Sequence, residues 1–241
     1  MNQQRKRKVR SFVLRSGRLS TTQQKALEEL SPLYDLSRSD EERLDLNRAF
    51  QLRQPVIVEI GFGKGEVTVK LAETFPAFNF LGIEVHKPGV GNVLHEIHTR
   101  PLENLRIYRG DAVEVLESLI EPESVRGFHI FFPDPWPKKK HHKRRLIQLP
   151  FARLLSRALE PEGYVYAVTD WQGYAEQILE VLQDTEGLVN PYGGYAPPVE
   201  WRPQTSFERK GMEQEHPIWE IWCEKRKYCE EQAEKHGVDQ N

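Results

Sequence analysis

The sequence lacks what several protein classes require. Of its 241 residues only two are cysteine, Cys223 and Cys229, with five residues between them. Two thiols at that spacing make neither a disulfide framework nor a zinc ribbon, and they suit a reducing compartment such as the cytoplasm. No stretch approaches the roughly 18 consecutive apolar residues of a membrane span, and the N-terminus shows no apolar core of a secretory signal. Acid is missing from two places. Residues 1–18 hold seven Lys/Arg (Arg5, Lys6, Arg7, Lys8, Arg10, Arg15, Arg18) and no Asp or Glu. Residues 138–145 hold six more, with His141 and His142, and again no acid. The formal net charge of −2 hides this, because outside those segments 21 basic residues face all 36 acids, a balance near −15. An acidic body with two concentrated cationic segments repels polyanions except at chosen places, the pattern of a nucleic-acid partner docked in one orientation. A solvated tail and a solvated loop would give the same composition.

What is present suffices for one sizeable core: 38% of the residues are apolar and 10% aromatic. Residues 1–40 read as a basic arm, flexible without RNA, with a short helix near Thr21 to Leu30. A transit peptide is the second reading of that arm. Residues 41–241 read as a single domain. From Pro55 the pattern becomes regular. Val56 to Ile60, Phe78 to Glu84, Leu105 to Arg109, Gly127 to Phe132 and Tyr164 to Val168 read as buried strands. Between them, apolar residues recur at helical spacing, as in Val90, Val93, Leu94 and Ile97. Further helices are expected over Gly65 to Phe75, around Val113 to Ile120, Phe151 to Ala158 and Ala175 to Leu182, and a late strand over Ile218 to Cys223. Strict alternation with short connections predicts an α/β fold, a mainly parallel central sheet with helices on both faces.

In such sheets ligands bind beyond the C-terminal ends of the strands. Those ends carry five acids: Glu59, Glu84, Asp111, Asp134 and Asp170. Any one of them alone would fit a helix cap, but five on one rim predict a site. The first strand runs into Gly61-Phe62-Gly63-Lys64-Gly65, where glycine lets the backbone turn sharply and approach a ligand. A dinucleotide fingerprint would want its third glycine at residue 66, which is Glu66; a carboxylate there would face a pyrophosphate. The spacing suits S-adenosylmethionine, which has no phosphate. Glu84, 23 residues after Gly61, stands where a carboxylate accepts from ribose hydroxyls. Glu59 is a candidate partner for the cationic methionyl portion, and Asp111 for the adenine amino group. His95 and His98, or His141 and His142, lack the carboxylate or thiolate neighbours of a metal site, so no metal is expected. Trp136 fits equally well as a base-stacking platform or a core cover.

Several motifs carry a likeness. Phe131–Arg145 (FFPDPWPKKKHHKRR) resembles the signature of the bacterial tRNA (guanine-N7-)-methyltransferase family. So do Glu59–Gly65 (EIGFGKG), Gly82–Leu94 (GIEVHKPGVGNVL), Val168–Trp171 (VTDW) and Arg202–Gly211 (RPQTSFERKG), and Arg10–Ser20 is similar to that family's start. The resemblance implies a Rossmann-like methyltransferase fold whose late strand is antiparallel. It implies transfer of a methyl group from S-adenosylmethionine to N7 of a tRNA guanosine, at position 46 in the variable loop. Another RNA position or a small molecule is the alternative substrate. Carried over by position, the likeness implies that Glu59, Gly61, Gly63, Glu84, Asp111 and Asp134 bind the cofactor, with Asp134 catalytic. Lys138, Asp170, Thr205, Ser206, Phe207 and Glu208 would contact the substrate. Lys140, His141, His142, Lys143, Arg144 and Arg145 would contact tRNA. A monomer and a homodimer are both compatible with the sequence.

Overall fold

The computed structural model describes residues 10–13, 17–38, 42–204, 208 and 217–227. Its centre is a seven-stranded sheet: β1 (Val56–Ile60), β2 (Asn79–Glu84), β3 (Leu105–Arg109), β4 (Val125–Phe131), β5 (Leu159–Thr169), β6 (Leu188–Val189) and β7 (Trp219–Lys225). The spatial order is β3-β2-β1-β4-β5-β7-β6. The first five strands run parallel, while β7 inserts antiparallel between β5 and β6. The expected α/β architecture and its late antiparallel strand are both present. The chain reverses its winding direction beside β1, and ligands gather at such a switch point.

The helices are α1 (Thr21–Glu29), α2 (Ser31–Tyr34), α3 (Glu66–Thr74), α4 (Lys87–Thr99), α5 (Ala112–Ser118), α6 (Leu149–Ala158) and α7 (Gln172–Gln183). Alternate strand residues serve opposite faces. Val58, Ile60, Phe128, Ile130, Val165 and Ala167 pack with α5, α6 and α7. Ile57, Phe80, Ile107, Phe131, Tyr166 and Val168 pack with α1, α3 and α4. All five residues of β1 are buried, as a central parallel strand covered on both sides requires. Where β4 and β5 pass beyond α3, aromatic rings complete the layer. The ring of His129 stacks on Phe131 at 5.2 Å and on Trp201 at 5.3 Å. Its Nε2 shares a 2.9 Å hydrogen bond with the Tyr164 hydroxyl, and burial pushes its pKa down to about 3, so the ring is neutral.

The segment read as an arm is tied to the domain over part of its length. Ser20 and Gln23 form a reciprocal capping box that starts α1. Ala26 of α1 is buried against the α4 face. Asp35 bridges to Ile107 of β3, and one of its oxygens accepts from the Arg109 N–H. The β5 strand begins five residues before the expected Tyr164, and the two-residue β6 lies at the sheet edge. Tyr192 to Tyr195, which reads as a mobile loop, follows β6 as a turn braced by Asn190, whose side chain accepts from the Tyr192 N–H and donates to the Gly194 carbonyl.

Candidate active site

At the C-terminal ends of β1 to β4 lies a cavity of about 220 Å³. Gly61, Glu84, Asp111 and Asp134 all line it, with His86, Phe131 and Phe132. Four of the residues assigned to the cofactor from sequence thus meet in one place. The parallel register explains why. Ile60 pairs with Ile83 and Phe131 with Val168, so the residues just after each strand emerge at one rim.

The loop after β1 is shaped from two directions. Gly61, Gly63 and Gly65 all take positive φ (77°, 57° and 81°), a conformation that L side chains rarely adopt. Behind the loop stands the first turn of α4, where a Cβ on Gly89 would meet the Gly63 carbonyl oxygen at 1.8 Å. Glu84 ties loop to strand: Oε2 accepts from the Gly63 N–H at 2.8 Å, and Oε1 accepts from the N–H groups of Val85 (2.6 Å) and His86 (2.9 Å). A carboxylate offers about four lone-pair positions, so these backbone donors fix Glu84 and leave it acceptor capacity for a hydroxyl. Asp111 caps α5, accepting from the Val113 N–H at 3.0 Å.

Glu59 is placed differently. It is 4% exposed and lies behind the loop, accepting from the Thr68 hydroxyl at 2.7 Å; it is not on the cavity wall, nor is Gly63. Burial pushes its carboxyl up to about 7, against the pull of the Thr68 bond and with a further push from the charge of Glu84.

Asp134 is exposed at the cavity, between Pro133 and Pro135. Two residues to either side of it, Phe132 (φ 49°) and Trp136 (φ 44°) both sit in the left-handed region. Two strained bulky residues around one carboxylate mark a backbone held for a purpose, at about 1–3 kcal/mol each. Beyond them Lys138 and a short 3₁₀ helix, Lys139–Arg144, follow, and Lys138, Lys139, Lys140 and Lys143 are exposed to solvent. Partial desolvation and the neighbouring cations hold His141 below the ordinary histidine range. A carboxylate-lined cavity thus stands next to a cationic face.

The family model Methyltransf_4, described as "Putative methyltransferase", matches residues 53–221. A Paraburkholderia xenovorans tRNA (guanine-N(7)-)-methyltransferase is 48% identical over 92% of this chain and 85% of its own. A protein of the same name from Nitrosospira multiformis is 47% identical over 91% of this chain and 96% of its own. The chain belongs to this methyltransferase family. Among solved structures, the 16S rRNA methyltransferase KamB shares the fold, with a TM-score of 0.57 at 13% identity over 80% of this chain and 99% of that one.

Other residues expected at the family's site take different positions. Arg145 is 4% exposed. Its guanidinium donates to the carbonyls of Pro135 (2.9 Å) and Gly173 (2.8 Å) and to Gln177 Oε1 (2.7 Å), and it lies 4.8 Å from the Tyr174 ring centre. It is a buried brace between the Asp134 segment and α7, which corrects its assignment to the RNA-facing set. Glu208 is also buried, paired with Arg202 through two bonds of 2.6 and 2.8 Å. Arg202 further reaches Glu220 at 3.1 Å and the Tyr166 hydroxyl at 2.9 Å, and that hydroxyl donates to Glu220. Burial opposes the charge on Arg202, but the Glu208 bonds, Tyr166 and both carboxylates hold its pKa above the ordinary arginine value. Glu208 is therefore committed to Arg202, whose guanidinium lies 5.9 Å from the Phe131 ring centre, where the likeness implies a substrate contact.

Asp170 follows β5 half-buried and does not line the cavity. Thr205, Ser206 and Phe207 lie outside the described residues. Among the wall residues that the sequence did not mark are Ser11 and Phe12, from the basic arm. Their one signal is the likeness of Arg10–Ser20 to the family's start, which names no role for them. Among the described residues there is no group of three or more His, Cys, Asp or Glu placed to hold a metal ion, and no helix long and apolar enough to cross a membrane.

Proposed function

We propose that this chain transfers the methyl group of S-adenosylmethionine to N7 of guanosine in tRNA, at position 46 of the variable loop. The observation that carries this reading is the cavity lined jointly by Gly61, Glu84, Asp111 and Asp134, beside the exposed lysines at 138–140 and 143. The residues present fit the donor. Glu84 and Asp111 offer acceptors to ribose hydroxyls and to an adenine amino group. Glu66 heads the helix that follows the glycine loop and opposes a pyrophosphate there. When bound, the donor supplies an electrophilic methyl on a sulfonium.

Guanine N7 bears no hydrogen and presents a lone pair, so the reaction needs no strong base to expose its nucleophile. The work left to the protein is orientation and charge stabilisation. Asp134, held by its strained flanks, orients the guanine edge and stabilises the positive charge that arrives on the purine as the methyl group is transferred. The lysines neutralise tRNA phosphates and bring the strand to the same rim. The setting is the cytoplasm, as a monomer or homodimer.

The test is labelled S-adenosylmethionine with unmodified tRNA transcript, followed by nucleoside analysis. 7-Methylguanosine at position 46 supports the reading; label in another nucleoside, or none, overturns it. Asp134→Ala should lower kcat by about 100-fold, the scale of removing one preorganised electrostatic group, while tRNA still binds. Near-normal turnover would remove Asp134 from the mechanism.

A further inference from the structure

Residues 10–12 are drawn onto the donor cavity by a clasp made only to their main chain. The Trp136 indole N–H donates to the Ser11 carbonyl at 3.0 Å. Arg144 donates through Nε to the Arg10 carbonyl at 3.2 Å and through Nη2 to the Phe12 carbonyl at 3.3 Å. Three successive carbonyls are thereby held. The two gripping side chains are themselves stacked, with the Arg144 guanidinium 4.0 Å from the Trp136 ring centre and His141 meeting that ring edge-on at 5.9 Å. Guanidinium on indole is the strong form of the cation–π contact.

The clasp sits between two spaces. Ser11 and Phe12 line the carboxylate cavity. Ser11, Asp111 and Leu146 also line a second cavity of about 720 Å³, whose wall continues through Arg10, Lys143 and Arg144. The strap of residues 10–12 is thus part of the partition between the two. Trp136 lies two residues from Asp134, so the strap is fastened to the same short segment that carries the proposed catalytic carboxylate.

We propose that Trp136 and Arg144 are positioning residues for the methyl donor: by gripping the carbonyls of residues 10–12 they make the strap a wall of the donor pocket. The proposal rests on the reading of that cavity as the donor site. It also reassigns Arg144. A guanidinium with its donors on two carbonyls and its face on an indole is committed to the strap, and the phosphate contacts fall to the lysines around it. A preformed wall raises affinity because its ordering has already occurred before the ligand arrives.

Binding of S-adenosylhomocysteine, followed by calorimetry, tests this in five proteins: wild type, Trp136→Phe, Arg144→Lys, a chain lacking residues 1–13, and that truncation combined with Trp136→Phe. Trp136→Phe keeps the ring and loses the donor; Arg144→Lys keeps the charge and loses the fork. Each single change should weaken S-adenosylhomocysteine about 10-fold, the scale of removing one or two hydrogen bonds. Each should also raise KM for S-adenosylmethionine with kcat little changed. In the truncated chain Trp136→Phe should add nothing, because its partner is gone. Arg144→Gln, a separate variant that removes the charge, should leave the salt dependence of tRNA binding as it was. Unchanged or tighter S-adenosylhomocysteine binding in the truncated chain overturns the proposal, as does a further loss from Trp136→Phe in that background. A salt slope reduced by about one in Arg144→Gln, with donor binding intact, would return Arg144 to the phosphates. The truncation tests the wall even if Trp136→Phe folds poorly. Failure of the wild type to bind S-adenosylhomocysteine would instead remove the donor site itself.

Discussion

Replacing Glu59 by glutamine should stabilise the protein at pH 8 and leave its stability nearly unchanged at pH 5. Glu59 is 4% exposed, its bonded partner is the neutral Thr68 hydroxyl, and the nearby charge of Glu84 has the same sign. Burial raises its carboxyl from the ordinary 4.5 to about 7. In the folded chain the acid therefore keeps its proton through a range where the unfolded chain has lost it. Between pH 4.5 and 7 the native state binds the extra proton, so stability falls as pH rises through that window and stays low above it. The difference between 4.5 and about 7 corresponds to about 3 kcal/mol. Glutamine keeps an oxygen for the Thr68 hydroxyl and carries no charge to desolvate. For a chain of this size the gain at pH 8 amounts to ~6–12 °C in Tm. Urea unfolding of both proteins at pH 5, 6, 7 and 8 reads it directly. The wild-type curve should decline across the series and the variant's decline should be shallower by that amount. Parallel curves, or a glutamine variant destabilised equally at every pH, would show that Glu59 is ionised in the free protein and refute the reasoning.

Arg145→Ala should cost ~2–4 kcal/mol of stability, because it removes three hydrogen bonds made by a buried guanidinium and empties the space against Tyr174; a midpoint in urea within error of wild type would contradict this. Replacing Lys138, Lys139 and Lys140 together by alanine should leave folding intact and reduce the slope of log tRNA affinity against log salt by up to about three, one for each phosphate no longer neutralised. An unchanged slope would place the tRNA elsewhere.

The alternation of apolar runs and helical periods made the sheet legible, because β1 and β2 are buried along their whole length and β1 and β4 run into glycine or proline within two residues. The rim acids Glu84, Asp111 and Asp134 were legible for the same reason; Asp170 and Glu59 do not line the cavity, and for Glu59 the register explains it. Glu59 pairs with Gly82, two residues short of Glu84, so its side chain lies below the rim and under α3 while Glu84 reaches the cavity. Arg145 looks like its neighbours in a run of cations. Only the end of the 3₁₀ helix turns it inward onto Tyr174, a contact between segments that charge alone does not encode. The bond between Trp136 and Ser11 joins residues 125 apart and has no local signal. β6 is two residues long, too short for any period, and the early part of β5 is disguised by Pro161 and Gly163.

The close approach of Gly89 to the Gly63 carbonyl couples the glycine loop to a helix that does not itself line the cavity. Loop and α4 are in backbone contact, so neither can move toward the other by even the width of a methyl group. Reshaping this cavity would therefore proceed through wall side chains that hold no part of the loop, such as Asp111 and Leu146, since pressing the loop toward α4 would drag one layer of the sandwich with it.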